Sequence, residues 1–249
     1  MNRRQYCLAL LILCLPIPAS AQSDCVVLLH GWARVTDSMA KLANRLDDAG
    51  YTAHNVKYAT RRHPVERMAA DAVGGGVAAC RDRNAPAIHF VAHSLGAILV
   101  RYYLHHNELE ELGRVVMLAP PNQGSELMDG LLKIPGFRFF SGPAGPALGT
   151  GTTGIAHRLP PVEFELGVIA GNRNINPLAW LLVPTPNDSA VSVASTRVEG
   201  MTAHIVLPVI HQTMMKNDQV IDLAVQYLQS GTFHCSPTNN CNTGQADLY

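Results

Sequence analysis

Short apolar runs alternate with longer amphipathic segments along most of the chain after residue 24. Short apolar or alternating runs predict buried β-strands, and apolar residues three and four positions apart predict α-helices. The predicted strands are Cys25–Leu29, Thr52–Tyr58, the run that begins at Ile88, Arg114–Leu118, Glu165–Ala170 and His204–Val209. The predicted helices are one that Asp37 caps, Val65–Arg81, Leu95 to about His106, and Asp218–Leu228. Because strand and helix alternate from Cys25 to Leu118, the pattern predicts an α/β fold, a mostly parallel sheet with helices on both faces.

One strand-to-helix junction, Ile88–Gly96, has the pattern of a nucleophile elbow. Ser94 stands between the apolar strand and the apolar start of the next helix. A turn this tight strains the serine backbone, so the residues two before and two after it must be small, as Ala92 and Gly96 are. The common pattern is G-x-S-x-G, and Ala92 replaces its first glycine. Taken alone, the motif also fits an ordinary helix start with Ser94 near its cap.

A serine nucleophile needs a base, and the base needs an acceptor for its other ring N–H. In elbow-containing folds the acid and then the histidine follow the serine along the chain. Asp188 lies in a turn-rich loop and His211 follows the last predicted strand, so we predict a catalytic triad of Ser94, Asp188 and His211. Other candidates for the base are His93 and His204, and other candidates for the acid are Asp129 and Asp218. We expect His93 to lie in the core, His204 at the opposite end of its strand, Asp129 in the loop-rich segment after residue 120, and Asp218 at a helix cap. A helix cap or an Asx turn would also explain Asp188.

The first predicted strand ends in His30-Gly31-Trp32, where the glycine permits a sharp turn. In hydrolases with an elbow, a loop in this position supplies one N–H group of the oxyanion hole, and the residue after the nucleophile supplies the other. We therefore predict Trp32 and Leu95 as the two donors. His30-Gly31-Trp32 taken alone also fits a strand exit with a packed indole.

Residues 120–161 are rich in glycine and proline and have no clear periodicity. A segment of this length without regular structure is usually a functional loop, so we predict a cap over the site. The segment contains Phe137-Arg138-Phe139-Phe140. These aromatic residues would line an acyl-chain groove, touch a lipid surface, or pack the cap onto the core, and the sequence does not decide among these three roles.

Gly74-Gly75-Gly76 interrupt a predicted helix and would mark a kink or a close helix–sheet contact.

The first residues combine a basic start at Arg3 and Arg4, an apolar stretch and the small residues Ala19-Ser20-Ala21. This pattern predicts a secretory signal peptide over residues 1–21, cleaved after Ala21, and a single domain over residues 22–249. Without the peptide, 17 basic and 19 acidic residues remain, a net charge of −2, which argues against a nucleic-acid partner. No later apolar run approaches membrane-spanning length. We expect a secreted or periplasmic protein.

Four cysteines follow the predicted signal peptide, and export favours disulfides. Three pairings are open, of which we favour Cys25–Cys80 and Cys235–Cys241. The first pair would join the start of a strand to the end of the helix that returns to it. A zinc site is the alternative, although the sequence has no C-x-x-C pair.

Six motifs together resemble the bacterial exported α/β-hydrolases described as lipase-like or esterase-like. The motifs are HGW, AHSLGA, APPNQGSE, GVIAGN, PNDSAVSV and HIVLPVIHQTMM. They occur in the family's order over nearly the whole mature chain. The resemblance implies an α/β-hydrolase fold, a Ser94–Asp188–His211 triad, and hydrolysis of carboxylic esters without a cofactor. We predict no metal-ligating residues, since the acidic residues are scattered and form no D-x-D-x-D run.

The expected substrate is a small-molecule ester or a lipid, with transient contact to a lipid surface. The alternative is an acyltransferase or amidase that uses the same triad. A non-catalytic binding module on the same fold is a third hypothesis, and it predicts a missing or misplaced triad member.

Overall fold

The structure is a computed structural model, and it describes residues 22–234. The predicted signal peptide and the predicted Cys235–Cys241 pair lie outside the described residues. No helix among the described residues is long and apolar enough to cross a membrane.

A six-stranded sheet forms the centre of the described chain, and all of its neighbouring strands are parallel. The strands are β1 (Cys25–Leu29), β2 (Thr52–Asn55), β3 (Ile88–His93), β4 (Leu112–Leu118), β5 (Leu166–Gly171) and β6 (Ala203–Leu207). Their order across the sheet is β2-β1-β3-β4-β5-β6. The predicted parallel sheet is confirmed, and the predicted strand ends shift by up to three residues.

Helices cover both faces of the sheet, as predicted. The helices are α1 (Ala40–Asp48), α2 (Val65–Met68), α3 (Gly74–Arg81), α4 (Leu95–His106), α5 (Glu126–Leu131), α6 (Phe137–Ser141), α7 (Ala144–Ala147), α8 (Ile155–Arg158), α9 (Pro177–Leu182) and α10 (Asp218–Ser230). One core lies between the sheet and the helices α2, α3 and α4. The other lies between the sheet and the helices α1 and α10. Each strand is therefore buried on both sides, which explains its near-continuous apolar sequence.

The chain from Val65 to Arg81 stays helical through its three glycines. A π-helical segment, Ala69–Val73, joins α2 to α3. Of the three glycines, Gly76 marks the predicted close helix–sheet contact, since a Cβ added to it would lie 2.5 Å from Cγ1 of Val27 on β1.

The predicted cap of α1 is wrong. Asp37 does not cap this helix, because it lies inside a 3₁₀ turn, Thr36–Met39, and the helix begins at Ala40.

The predicted disulfide between Cys25 and Cys80 is present, and it joins the first residue of β1 to the last turn of α3.

The segment 120–161 contains four of these short helices, α5 to α8, between β4 and β5. The aromatic residues in it have two different environments. Phe137 packs against Trp32, with ring centroids 6.2 Å apart, whereas Phe139 and Phe140 are 89% and 68% exposed. Packing onto the core therefore accounts for Phe137 but not for its two neighbours.

Candidate active site

Ser94 occupies the turn between β3 and α4 with an unusual backbone conformation, φ 54° and ψ −119°. Few L-residues adopt such angles, and they persist only where the surrounding structure enforces them. Space beside the turn is also limited, because a Cβ added to Gly96 would lie 2.7 Å from the backbone oxygen of Leu29. The small residue that the motif requires is thus explained by the close approach of α4 to the end of β1.

His211 lies within hydrogen-bonding distance of both other predicted triad members. Its Nε2 is 3.0 Å from Oγ of Ser94, and its Nδ1 is 2.7 Å from Oδ2 of Asp188. The backbone N–H of His211 also donates to the backbone oxygen of Asp188, at 2.8 Å. Asp188 therefore fixes the position of His211 through the backbone of the histidine as well as through its ring.

The two oxygens of the buried Asp188 carboxylate have different hydrogen-bond partners. Oδ1 accepts the backbone N–H groups of Ala190 and Val191, at 3.0 and 2.8 Å. Oδ2 is thereby aimed at the histidine. The Asx turn, which is the alternative interpretation of Asp188, is therefore present, and the same carboxylate also lies within hydrogen-bonding distance of His211.

The predicted oxyanion donors lie on two segments that meet at Ser94. Leu95 is the first residue of α4, where N–H groups have no acceptor within the helix. The loop that carries Trp32 packs directly on the serine, since a Cβ added to Gly31 would lie 3.0 Å from Cβ of Ser94.

The chain after β2 fixes this loop at two points. The hydroxyl of Tyr58 donates to the backbone oxygen of His30, and the two rings stack with centroids 4.2 Å apart. Burial raises the pKa of Tyr58, so the phenol stays protonated and remains a donor. The backbone N–H of Ala33 donates to Oγ1 of Thr60, at 3.0 Å.

His93 is buried, as predicted, but it also forms part of the site. Its ring lies 4.6 Å from that of His211, and it lines the cavity beside Ser94. Burial, with smaller effects of His211 and Arg34, lowers the pKa of His93 well below its usual value. His93 therefore adds no positive charge beside the imidazole of His211.

The rival residues have other partners. Nε2 of His204 lies 2.9 Å from Oγ1 of Thr196, and Asp129 accepts the backbone N–H of Thr150. Asp218 pairs with Lys41 at 2.7 Å. It is the first residue of α10, and the capping side chain is that of Asn217.

An open cavity of about 260 Å³ lies over Ser94 and His211. Its apolar lining comes mostly from the segment 120–161, through Pro121, Leu127, Met128, Leu131 and Leu148, with Val191 from the loop of Asp188. The segment thus supplies much of the lining of this cavity. The sequence did not single out Leu127, Met128 and Leu131, because α5 is too short for its apolar face to stand out.

A second feature that the sequence did not reveal is a set of hydrogen bonds between residues 122–126 and residues 190–197. Ser125 bonds to Ala190, Glu126 to Ser192, Gln123 to Ser195 and Arg197, Gly124 to Ser195, and Asn122 to Thr196. These bonds attach the start of the cap to the loop that follows the acid. Among the described residues, no three His, Cys, Asp or Glu side chains are grouped so as to hold a metal ion.

A family model described as the alpha/beta hydrolase family matches residues 26–231. Among solved structures, the mature Bacillus licheniformis lipase BlEst2 is similar with a TM-score of 0.68 and 17% identity, over 86% of this chain and 95% of that chain. The Legionella pneumophila phospholipase PlaB has a TM-score of 0.58 and 16% identity, over 85% and 57%. The Pyrococcus furiosus esterase Pf2001 has a TM-score of 0.57 and 17% identity, over 84% and 83%. No curated protein sequence matches the chain.

Proposed function

The chain belongs to the α/β-hydrolase family, and we propose that it is a serine hydrolase that cleaves carboxylic esters. One observation carries the proposal: the hydrogen bonds that join Ser94 to His211 and His211 to Asp188, at 3.0 and 2.7 Å. Similar structures named lipase, esterase and phospholipase also support it, as does the apolar lining of the cavity, which suits an acyl chain.

In the proposed reaction, His211 takes the proton of Ser94 as the serine oxygen attacks the ester carbonyl. The backbone N–H groups of Trp32 and Leu95 stabilise the oxyanion. His211 then protonates the leaving alcohol, and a water molecule releases the acyl group by the same steps in reverse. Asp188 orients the imidazole and stabilises its charged form. Nucleophile, base, acid and donors all come from the chain, so the proposed reaction calls for no cofactor.

The test uses Ser94→Ala with a series of p-nitrophenyl esters of increasing chain length. We expect kcat/KM to fall by at least about 10⁴-fold, because the base then has no nucleophile to activate. A fluorophosphonate probe should label the wild-type protein and not the variant. Ser230→Ala, at an exposed serine at the end of α10, is the matched control and should retain both activity and labelling.

Unchanged ester turnover in Ser94→Ala would refute the proposal, and a wild-type protein that neither turns over esters nor reacts with the probe would favour the binding module. Added acceptor alcohols separate hydrolase from acyltransferase. If most acyl groups go to the alcohol rather than to water, transfer is the main reaction.

We also propose that the protein is exported and that its signal peptide is cut after Ala21. The Cys25–Cys80 disulfide supports export, since such bonds persist in oxidising compartments. N-terminal sequencing of the mature protein should begin at Gln22, and an N-terminus at Met1 would contradict cleavage.

Transient contact with a lipid surface is the last part of the proposal. Phe139 and Phe140 on α6 and Leu181 on α9 are largely exposed. Helix α9 packs on the cavity-lining helix α5, where a Cβ added to Gly130 would lie 2.4 Å from Leu182. We expect the wild type to co-sediment with phosphatidylcholine vesicles and the double variant Phe139→Ser, Phe140→Ser to do so less; equal sedimentation would refute this contact.

A further inference from the structure

Arg34 brings a full positive charge to the wall of the cavity. It follows the loop of the predicted oxyanion donor, and its backbone N–H closes a turn onto the backbone oxygen of Gly31, at 3.2 Å. Its side chain lines the cavity together with Ser94 and His211 and is partly exposed. The neighbouring residue, Ala33, is fixed by its bond to Thr60, so the position of Arg34 along the wall is well defined.

Within residues 22–234, Arg34 takes part in no ion pair, and no Asp or Glu lines the cavity. Six of the other sixteen basic residues in the described part of the chain do form ion pairs. The paired ones are Lys41, Arg45, Arg67, Arg81, Arg114 and Arg158. The charge of Arg34 also acts within the site, because it is among the causes that lower the pKa of His93. Arg34 thus lines a mainly apolar cavity and has no ion-pair partner among residues 22–234.

We propose that Arg34 binds an anionic group of the substrate, a carboxylate or a phosphate carried by the alcohol part of the ester. The inference rests on the proposed ester hydrolysis and narrows its substrate class. The apolar side chains of the cap suit the acyl chain, which leaves the anion for the alcohol part. A guanidinium suits this role because its planar N–H groups can donate two parallel hydrogen bonds to a carboxylate or a phosphate.

The experiment compares three butanoate esters of substituted phenols: methyl 4-(butanoyloxy)benzoate, its free carboxylate, and 4-(butanoyloxy)phenyl phosphate. The measured quantity is kcat/KM for each anionic ester divided by kcat/KM for the neutral one. Taking this ratio cancels differences in folding and in catalytic competence between variants. We expect Arg34→Gln to lower the ratio about 10-fold for at least one anion, which is the scale of a hydrogen bond to a charged group.

Arg62→Gln is the matched control, because Arg62 is an exposed arginine on the chain after β2 and does not line the cavity. It should leave the ratio unchanged. The wild-type ratio should also fall as salt is raised, since the attraction is partly screened. Loss for the phosphate alone would identify a phosphate, and loss for the carboxylate alone a carboxylate.

Equal ratios in the wild type and Arg34→Gln for both anions would overturn the inference while ester hydrolysis stands. If the wild type hydrolysed none of the three esters, and no p-nitrophenyl ester either, the proposed function would fail first. Arg34→Lys keeps the charge without the planar N–H geometry, so it should retain part of the preference.

Discussion

At the scale of single residues, backbone strain is concentrated around the site. Among the described residues, five that are not glycine have positive φ, and four of them are Ala33, Ser94, Ala119 and Ser189, with φ between 45° and 90°. The fifth, Asn84, lies away from the site, after α3. Each of the other four lies at or beside a group that the proposed reaction uses, or at the end of a strand that leads to it. Such conformations cost about 1–3 kcal/mol each and persist where the surrounding packing enforces them. The buried sheet is therefore what holds the chemical groups in place.

We expect Tyr58 to affect the rate of catalysis although it does not contact the substrate. Tyr58→Phe removes the hydroxyl that holds the backbone oxygen of His30 and keeps the stacked ring. The loop of Trp32 then loses one constraint, and a less ordered oxyanion donor affects the transition state more than substrate binding. We expect kcat to fall about 3- to 10-fold, on the scale of one hydrogen bond, with KM within about twofold.

Tyr102→Phe is the control, because the ring of Tyr102 stacks on His106 at the end of α4. Steady-state kinetics on one p-nitrophenyl ester gives both constants. A rise in KM with unchanged kcat in Tyr58→Phe would contradict the positioning role, and so would an equal loss in the control.

The sequence singled out the three residues that the structure places within hydrogen-bonding distance of one another, but not Tyr58 or Arg34, for a physical reason. Ser94 belongs to a local pattern that its own turn demands, and Asp188 and His211 follow from chain order. Tyr58 acts through a contact with His30, 28 positions away. Its own segment was predicted as part of a strand, whereas β2 ends at Asn55. The spacing of residues along the sequence does not reveal a contact between two residues that are this far apart.

At the scale of elements, the fit between α3 and β1 makes a testable contrast between two neighbouring glycines. A Cβ at Gly76 would lie 2.5 Å from Cγ1 of Val27, a stiff β-branched side chain, whereas one at Gly75 would meet nothing within 4 Å. We expect Gly76→Ala to lower the free energy of unfolding by about 1–3 kcal/mol through overpacking. Gly75→Ala should raise it by up to about 1 kcal/mol, because alanine favours the helix.

Urea denaturation of both variants measures these changes, and Gly75→Ala is the control for helix propensity. If both variants were stabilised, α3 would not be pressed against β1 as described. If both were destabilised equally, a property of the helix rather than its contact with Val27 would be responsible.

Apolar strands and the long helices were predicted well, and the short helices of the cap were not. The strand β1 has its predicted ends, and α4 ends at the predicted His106. The four short helices of the cap contain four to six residues each, which is less than two turns. Helices of this length show no periodicity and depend on tertiary packing for their stability. The cap was therefore predicted from its position and composition, without its internal structure.

At the scale of the whole molecule, several buried histidines couple folding to pH. Burial lowers the pKa of His30, His54, His89, His93 and His204. For His204, burial and the nearby charge of Arg197 lower it from 6.5 to about 4. Between these two pH values the unfolded chain binds a proton that the folded protein does not. The contribution of neutral His204 is therefore fully present above pH 6.5 and is lost progressively as pH falls towards 4.

We expect the free energy of unfolding of the wild type to decrease as pH is lowered from 7.5 to 4.5, and His204 to supply about 2–3 kcal/mol of that loss. His204→Gln keeps a polar partner for Thr196 but does not titrate, so its stability should fall less over the same range. His63→Gln, at an exposed histidine, should follow the wild type. Urea denaturation at several pH values measures all three proteins, and parallel curves for His204→Gln and the wild type would show that His204 is not the group responsible.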